Sequence, residues 1–137
     1  MKDLLVQGDG LLPPARPWDV GYDLVCQEEV WLSPDLPPYP IPARANVKIP
    51  DDCWGLILPR SCAALQRIGI VPGVIDSGYV GPLYTMAYVL MGAGLTIKKG
   101  SRLAQLIILP RTVLPIKAVQ TLPQTPRGEQ GFGSTNI

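Results

Sequence analysis

The chain has 137 residues, 47% of them apolar and 17% charged, which suits one folded domain and is too short for two comfortable cores. Lys plus Arg number 12 against 11 Asp plus Glu, and the resulting net charge of +1 argues against broad electrostatic capture of nucleic acid or an anionic membrane. Histidine is absent, which removes Ser-His-Asp and Cys-His machinery, imidazole metal sites and histidine pH switches, so general-base chemistry falls to a carboxylate.

The start, Met1-Lys2-Asp3-Leu4-Leu5, runs at once into Gln7, Gly8, Asp9 and Gly10, so no apolar signal core develops. The longest apolar runs, such as Leu106 to Pro110, fall far short of a bilayer span. Cys26, Cys53 and Cys62 form no C-x-x-C pair, and their odd number suggests neither a disulfide framework nor a thiolate metal site. A soluble, intracellular protein is expected.

Glycine (14) and proline (16) punctuate the chain at Gly8 to Pro17, Ser33 to Pro42, Pro50 to Asp52, Gly69 to Gly73, Gly92 to Gly94, Lys98 to Ser101, Pro110, Pro115 and Pro123 to Gly128. Strands are predicted between them over Tyr22 to Cys26, Glu29 to Leu32, Arg44 to Ile49, Gly55 to Leu58, Gly81 to Leu90, Leu103 to Leu109 and Val113 to Val119. Such a pattern points to an all-β barrel or sandwich. The one helical candidate is Cys62 to Arg67, opened by Ser61 as N-cap and closed near Gly69. From Tyr79 to Leu90 both alternate sets are apolar or neutral, so this strand is expected to be covered on both faces, the second by another subunit in an oligomer.

Three segments carry candidate chemistry. Arg60 and Ser61, at the start of the short helix, suit phosphate binding, although a surface arginine beside an ordinary cap has the same letters. Gly73 to Gly81, GVIDSGYVG, holds Asp76 before a tight turn; it is the leading candidate to take a proton from water, or else an Asp that merely caps its turn. Beyond the proline-stiffened Pro123-Gln124-Thr125-Pro126, the segment Arg127 to Ile137 combines glycines, hydroxyls, an arginine and the sole Phe, Phe132. That composition suits an arm closing over a phosphorylated ligand with a planar base, and equally a disordered tail of no function. It lacks the G-x-x-x-x-G-K spacing of a Walker loop.

Taken together these segments resemble the homotrimeric dUTPases. Val20-Gly21-Tyr22-Asp23-Leu24 is similar to the family's first motif, and Arg60-Ser61 with Ala64 to its second. Gly73 to Gly81 is similar to the third, Lys99 to Ile107 (KGSRLAQLI) to the fourth and Arg127 to Thr135 (RGEQGFGST) to the fifth. The resemblance implies a distorted jelly-roll subunit, residues 1–122, and an arm, 123–137, exchanged within a trimer whose sites combine motifs from different chains. It implies hydrolysis of dUTP to dUMP and pyrophosphate with Mg²⁺, and neither a nucleic-acid nor a membrane partner. Asp76 would activate the water, and Tyr79 would pack on the sugar and refuse a ribose 2′-hydroxyl. Arg60, Ser61 and Gln105 would hold phosphates, while Gly73 belongs to the hairpin that reads uracil. Arg127, Gly133, Ser134 and Thr135 would close on the terminal phosphates, and Phe132 would cover the base. Asp23 would act near the metal through water or support the site.

Several letters depart from the family pattern. Ile70 and Val89 stand where many members carry Asn, Cys62 and Ala63 follow Ser61, and Pro82 follows Gly81. The related dCTP deaminases use a Glu whose place is taken here by Met86. A non-catalytic nucleotide-binding or regulatory member of the fold is a further alternative, and the compact length with these departures suggests a viral or phage source.

Overall fold

The structure is a computed structural model that describes residues 2–133, so Ser134 and Thr135 lie outside the described residues. The chain order is β1 (Leu5–Gly8), β2 (Leu11–Leu12), β3 (Gly21–Leu24), β4 (Val30–Leu32), β5 (Tyr39–Lys48), β6 (Cys53–Pro59), α1 (Ser61–Leu65), β7 (Ile68–Ile70), β8 (Gly73–Ile75), β9 (Pro82–Val89), β10 (Leu95–Ile97) and β11 (Ala104–Pro110). The strands form a five-stranded sheet, β2-β3-β11-β6-β8, a four-stranded sheet, β1-β5-β9-β7, and a pair, β10-β4. Every pairing is antiparallel. This is the all-β, jelly-roll-like architecture expected, with its one short helix.

Side-chain alternation builds the core. Cys53, Gly55 and Ile57 of β6 point inward while Trp54, Leu56 and Leu58 stay half-buried, and Ile41, Ala43, Ala45 and Val47 of β5 face the same interior. Leu24, Ile41, Ile49, Leu83, Leu103 and Leu106 are among the largest fully buried side chains. Each contributes roughly 1.5–3 kcal/mol by leaving water.

The structure departs from the sequence expectations in three places, at β5, at α1 and after β11. β5 begins at Tyr39, inside a segment read as a breaker because of Pro40 and Pro42. Over that half β5 pairs only with β9, and β1 joins from Ala45 onward, so the missing proline N–H groups break no ladder on the free side. Helix α1 is shorter than expected: Arg60, not Ser61, occupies the N-cap, without a side-chain cap bond, and Arg67 takes a left-handed backbone (φ 62°) two residues after Leu65. β9 is no departure: Leu83, Thr85, Ala87 and Val89 are buried, while Pro82 and Tyr84 are exposed and Met86 and Tyr88 half-buried, so its own chain covers one face and the expectation for the other concerns a second subunit. Finally, Val113 to Val119 is not a strand; it joins none of the sheets and is exposed throughout, Ile116 by 99%.

Candidate active site

The first half of the site assembles at one end of the five-stranded sheet. Strand β3 brings Asp23 opposite Gln105 of β11, and the end of β6 delivers Arg60 to the same place. Asp23 Oδ1 meets Arg60 Nε at 3.2 Å and its Oδ2 meets Arg102 Nη1 at 3.5 Å. Arg60 Nη1 also donates to the Arg102 carbonyl at 2.8 Å, and Gln105 Nε2 to that of Pro59 at 3.3 Å. Gly21 makes room for that amide: a Cβ on it would fall 2.1 Å from Gln105 Oε1. The result is an open cavity of about 520 Å³ lined by Asp23, Arg60, Arg102, Gln105 and the Arg16–Trp18 turn. Ser61 lies exposed beside it in sequence, as the first residue of α1.

The second half lies on the hairpin between the two large sheets. β8 pairs with β6 on one side only, and β9 pairs with β5, so the two arms of the hairpin belong to different sheets and are not bonded to each other as a ladder. Between them opens a cavity of about 210 Å³ lined by Gly73, Ile75, Tyr79, Pro82, Tyr84 and Met86, among others. The bond from Val71 N–H to the Met86 carbonyl, 2.9 Å, ties the arms together at its base. Free backbone donors and acceptors on the outer edge of β8 are suited to reading the edge of a flat heterocycle.

Tyr79 closes the hairpin. Its backbone N–H bonds the Asp76 carbonyl at 3.0 Å, and its hydroxyl donates to the Pro82 carbonyl at 2.7 Å. The ring lies so close over Gly81 that a Cβ there would come within 2.7 Å of it. Pro82, which offers no N–H, is therefore used through its carbonyl. Asn46, set opposite Pro82 by a register shift in β5, supports the loop by donating to the Val80 carbonyl at 2.9 Å. Asp76 is exposed and lines a further cavity of about 470 Å³ with Cys53, Trp54, Ser77 and Arg111.

These halves do not meet within one chain. The β6–β8 register sets Ile75 against Gly55, which leaves Asp76 beside Trp54, and Arg60 follows the far end of the same strand. Six residues at about 3.3 Å each separate the two by about 20 Å. The third group is farther out: Arg127 and Gly133 are exposed, and Phe132 is fully so.

Ile70 and Val89 are buried, 5% and 3% exposed, in neighbouring strands β7 and β9. Apolar packing has taken these two positions into the core, so the hairpin cavity is lined without them. Arg102 is the site residue that sequence reasoning quoted in a motif but gave no role. Its signal was present, an arginine just before a strand that carries Gln105 on the same approach.

Among the described residues no group of three His, Cys, Asp or Glu could hold a metal ion. Both Asp23 oxygens already face arginines. This donor set fits Mg²⁺ only as an ion that keeps its waters and is held mainly by substrate phosphates.

The dUTPase family model matches residues 10–136. The chain belongs to the dUTPase family. It is 38% identical over 135 residues to the deoxyuridine 5′-triphosphate nucleotidohydrolase of Clostridium kluyveri, covering 95% of this chain and 93% of that protein. It is 36% identical to the Pol polyprotein of caprine arthritis encephalitis virus (strain Cork), covering 98% of this chain but only 12% of the polyprotein. Among solved structures, the Staphylococcus bacteriophage 80alpha dUTPase with dUpNHpp matches with TM-score 0.88 at 27% identity over the whole of both chains. The dUTPase of phage phi11 of S. aureus, whose structure shows coordination of a structural Mg(II) ion, matches with TM-score 0.76 at 26% identity, covering 88% of this chain and 98% of that one. Family members thus include bacterial, viral and phage proteins. No helix of the described residues is long and apolar enough to cross a membrane.

Proposed function

We propose that this chain is a dUTP diphosphatase, which hydrolyses dUTP to dUMP and pyrophosphate and so keeps uracil out of DNA. It works as a homotrimer in the cytoplasm, or in the host-cell interior if viral. The observation that carries the trimer is the gap of about 20 Å between Asp76 and Arg60 along β6, too long for both to serve one α-phosphate. A site complete in all its parts then needs the hairpin of one chain beside the Asp23–Arg60–Gln105 cluster of another, with the arm, residues 123–137, supplied by a third. The exposed run from Arg111 onward and the open face of β9 at Pro82 and Tyr84 are consistent with surfaces that other copies cover.

In this reading uracil and deoxyribose enter the hairpin cavity. Cytosine presents donor and acceptor in reversed order at two ring positions and leaves buried groups unpaired, and the thymine methyl meets a tight wall. Tyr79, locked by its bond to Pro82, packs against the sugar where a 2′-hydroxyl would stand. Arg60, Ser61 and Gln105 hold the phosphates, and Asp23 fixes Arg60 and Arg102 toward them. Asp76 takes a proton from water as its oxygen attacks the α-phosphorus, and pyrophosphate leaves. The substrate phosphates would hold Mg²⁺, with Asp23 reaching it only through water, and the ion would supply charge neutralisation there. Arg127, Gly133, Ser134 and Thr135 close on the terminal phosphates and Phe132 covers the base. Met86 lines the cavity without a carboxylate, as the deaminase alternative requires it to have.

The test is a panel of dUTP, dTTP, dCTP and UTP assayed for pyrophosphate release with Mg²⁺. Turnover of dUTP alone supports the reading. Comparable turnover of dCTP overturns the uracil assignment, and binding of dUTP without pyrophosphate release overturns hydrolysis.

A further inference from the structure

The Arg16–Trp18 turn lines the Asp23–Arg60 cavity, yet the scheme above gives it no task. Trp18 is 74% exposed there, a large apolar ring left in water. The turn is nonetheless firmly built. Asp19 N–H bonds the Arg16 carbonyl at 3.0 Å, Arg16 Nε pairs with Asp19 Oδ2 at 3.0 Å, and the Arg16 guanidinium stands 6.0 Å from the indole centroid. Pro17 between them restricts the backbone further.

A matching segment lies in the arm. Pro123-Gln124-Thr125-Pro126 has P-x-x-P spacing, follows Leu122, which is 76% exposed, and runs directly into Arg127. Beyond the bond from Arg111 N–H to the Asp52 carbonyl, the hydrogen bonds of the described arm residues are internal to it: Gly128 N–H to Thr125 Oγ1 at 3.1 Å, Gln130 N–H to the Arg127 carbonyl at 3.3 Å and Arg127 Nε to the Gln130 carbonyl at 2.5 Å. The arm thus carries a preformed turn at Arg127, and no described arm residue lines the cavity of its own chain.

We infer that Trp18 is the docking platform for Leu122–Pro126 of a second copy of this chain, a latch that sets the incoming Arg127 at the mouth of the phosphate cavity. The inference rests on the exchanged-arm reading and adds to it where, and by what contact, the arm is caught. Proline-rich segments in the extended polyproline conformation lose little entropy on docking, and their rings pack on exposed indoles. Charge supports the same placement. Around the cavity Arg16, Arg60 and Arg102 face Asp19 and Asp23, a single net positive charge for a triphosphate to meet, and Arg127 delivered over Trp18 supplies another. The Arg16–Asp19 pair then acts by holding the indole in place.

The experiment uses the full chain and four variants: W18A, W18F, the double variant P123A/P126A, and the triple variant combining W18A with both prolines. Two readouts are taken, steady-state dUTP hydrolysis and the rate of trypsin cleavage after Arg127 with a non-hydrolysable dUTP analogue present. The latch predicts that W18A raises KM about tenfold, as for other aromatic anchors, and speeds cleavage after Arg127. W18F recovers most of both, P123A/P126A reproduces W18A, and the triple variant is no worse than either parent. Because Trp18 is largely exposed and the prolines lie outside the sheets, thermal unfolding is expected to stay unchanged. A KM for W18A within about twofold of the parent, or effects that multiply in the triple variant, overturns the latch. If the unsubstituted chain releases no pyrophosphate, the hydrolysis reading fails instead, and trypsin protection by the analogue decides the latch by itself.

Discussion

Replacing Asp76 by Asn keeps the size of the side chain and removes its capacity to take a proton. The structure sets the expected cost to folding near zero. Asp76 is exposed, and the bond closing its turn runs from the Tyr79 N–H to the Asp76 main-chain carbonyl, which Asn retains. The cost to turnover is that of a lost general base, a fall of about 10²–10⁴ in kcat, or about 3–5 kcal/mol of transition-state stabilisation. KM for dUTP should change little, since neither the hairpin cavity nor the arginine cluster is altered. The assay is pyrophosphate release under saturating dUTP and Mg²⁺, with thermal unfolding measured alongside. An Asp that only caps its turn, a task Asn also performs, leaves kcat within a few-fold of the parent at unchanged Tm, and that result refutes the assignment.

Deleting Arg127 to Ile137 should leave Tm unchanged while raising KM and lowering kcat together, because the deleted residues contribute nothing to the described sheets; loss of folding on deletion contradicts this. Gly21→Ala should raise KM several-fold at nearly constant Tm, since its Cβ would displace the flexible Gln105 amide rather than backbone; unchanged kinetics argue against a phosphate role for Gln105. Burial pushes the Cys26 thiol up to about 11, against a smaller opposing pull from Thr85. The folded state therefore holds that proton more tightly than the unfolded one, and the stability so gained is complete below pH 9, then lost as pH rises through 11, by up to about 3 kcal/mol. Urea unfolding of wild type and Cys26→Ala at pH 8 and pH 10.5 checks this: the gap between them should narrow at the higher pH, and a constant gap refutes it.

How much was legible in the letters depended on length and on partners. β6, β9 and β11 are largely apolar runs of seven or eight residues bounded by breakers and were placed within two residues at either end. β7, β8 and β10 have three residues each, too few to show a period, and the sequence showed them only as breakers or as gaps between strands. Pro40 and Pro42 hid the start of β5 because a breaker rule takes no account of which side of a strand is paired. Val113 to Val119 has strand-like letters but joins none of the sheets of its own chain, which only the three-dimensional arrangement reveals. At the site, Asp23, Arg60 and Gln105 were named separately and the fold brings them together, whereas Arg102 and Trp18 became visible only as neighbours of that cluster.

The central claim is that each active site draws Asp76 and Arg60 from different chains. It is tested most directly by mixing two variants, Asp76→Asn and Arg60→Ala, each nearly inactive alone, by joint unfolding and refolding. In randomly mixed trimers a site is intact when its hairpin comes from an Arg60→Ala chain and its arginine from an Asp76→Asn chain, so about a quarter of wild-type activity should return. Recovery near that level is the predicted result; a mixture as inactive as its two components contradicts the account.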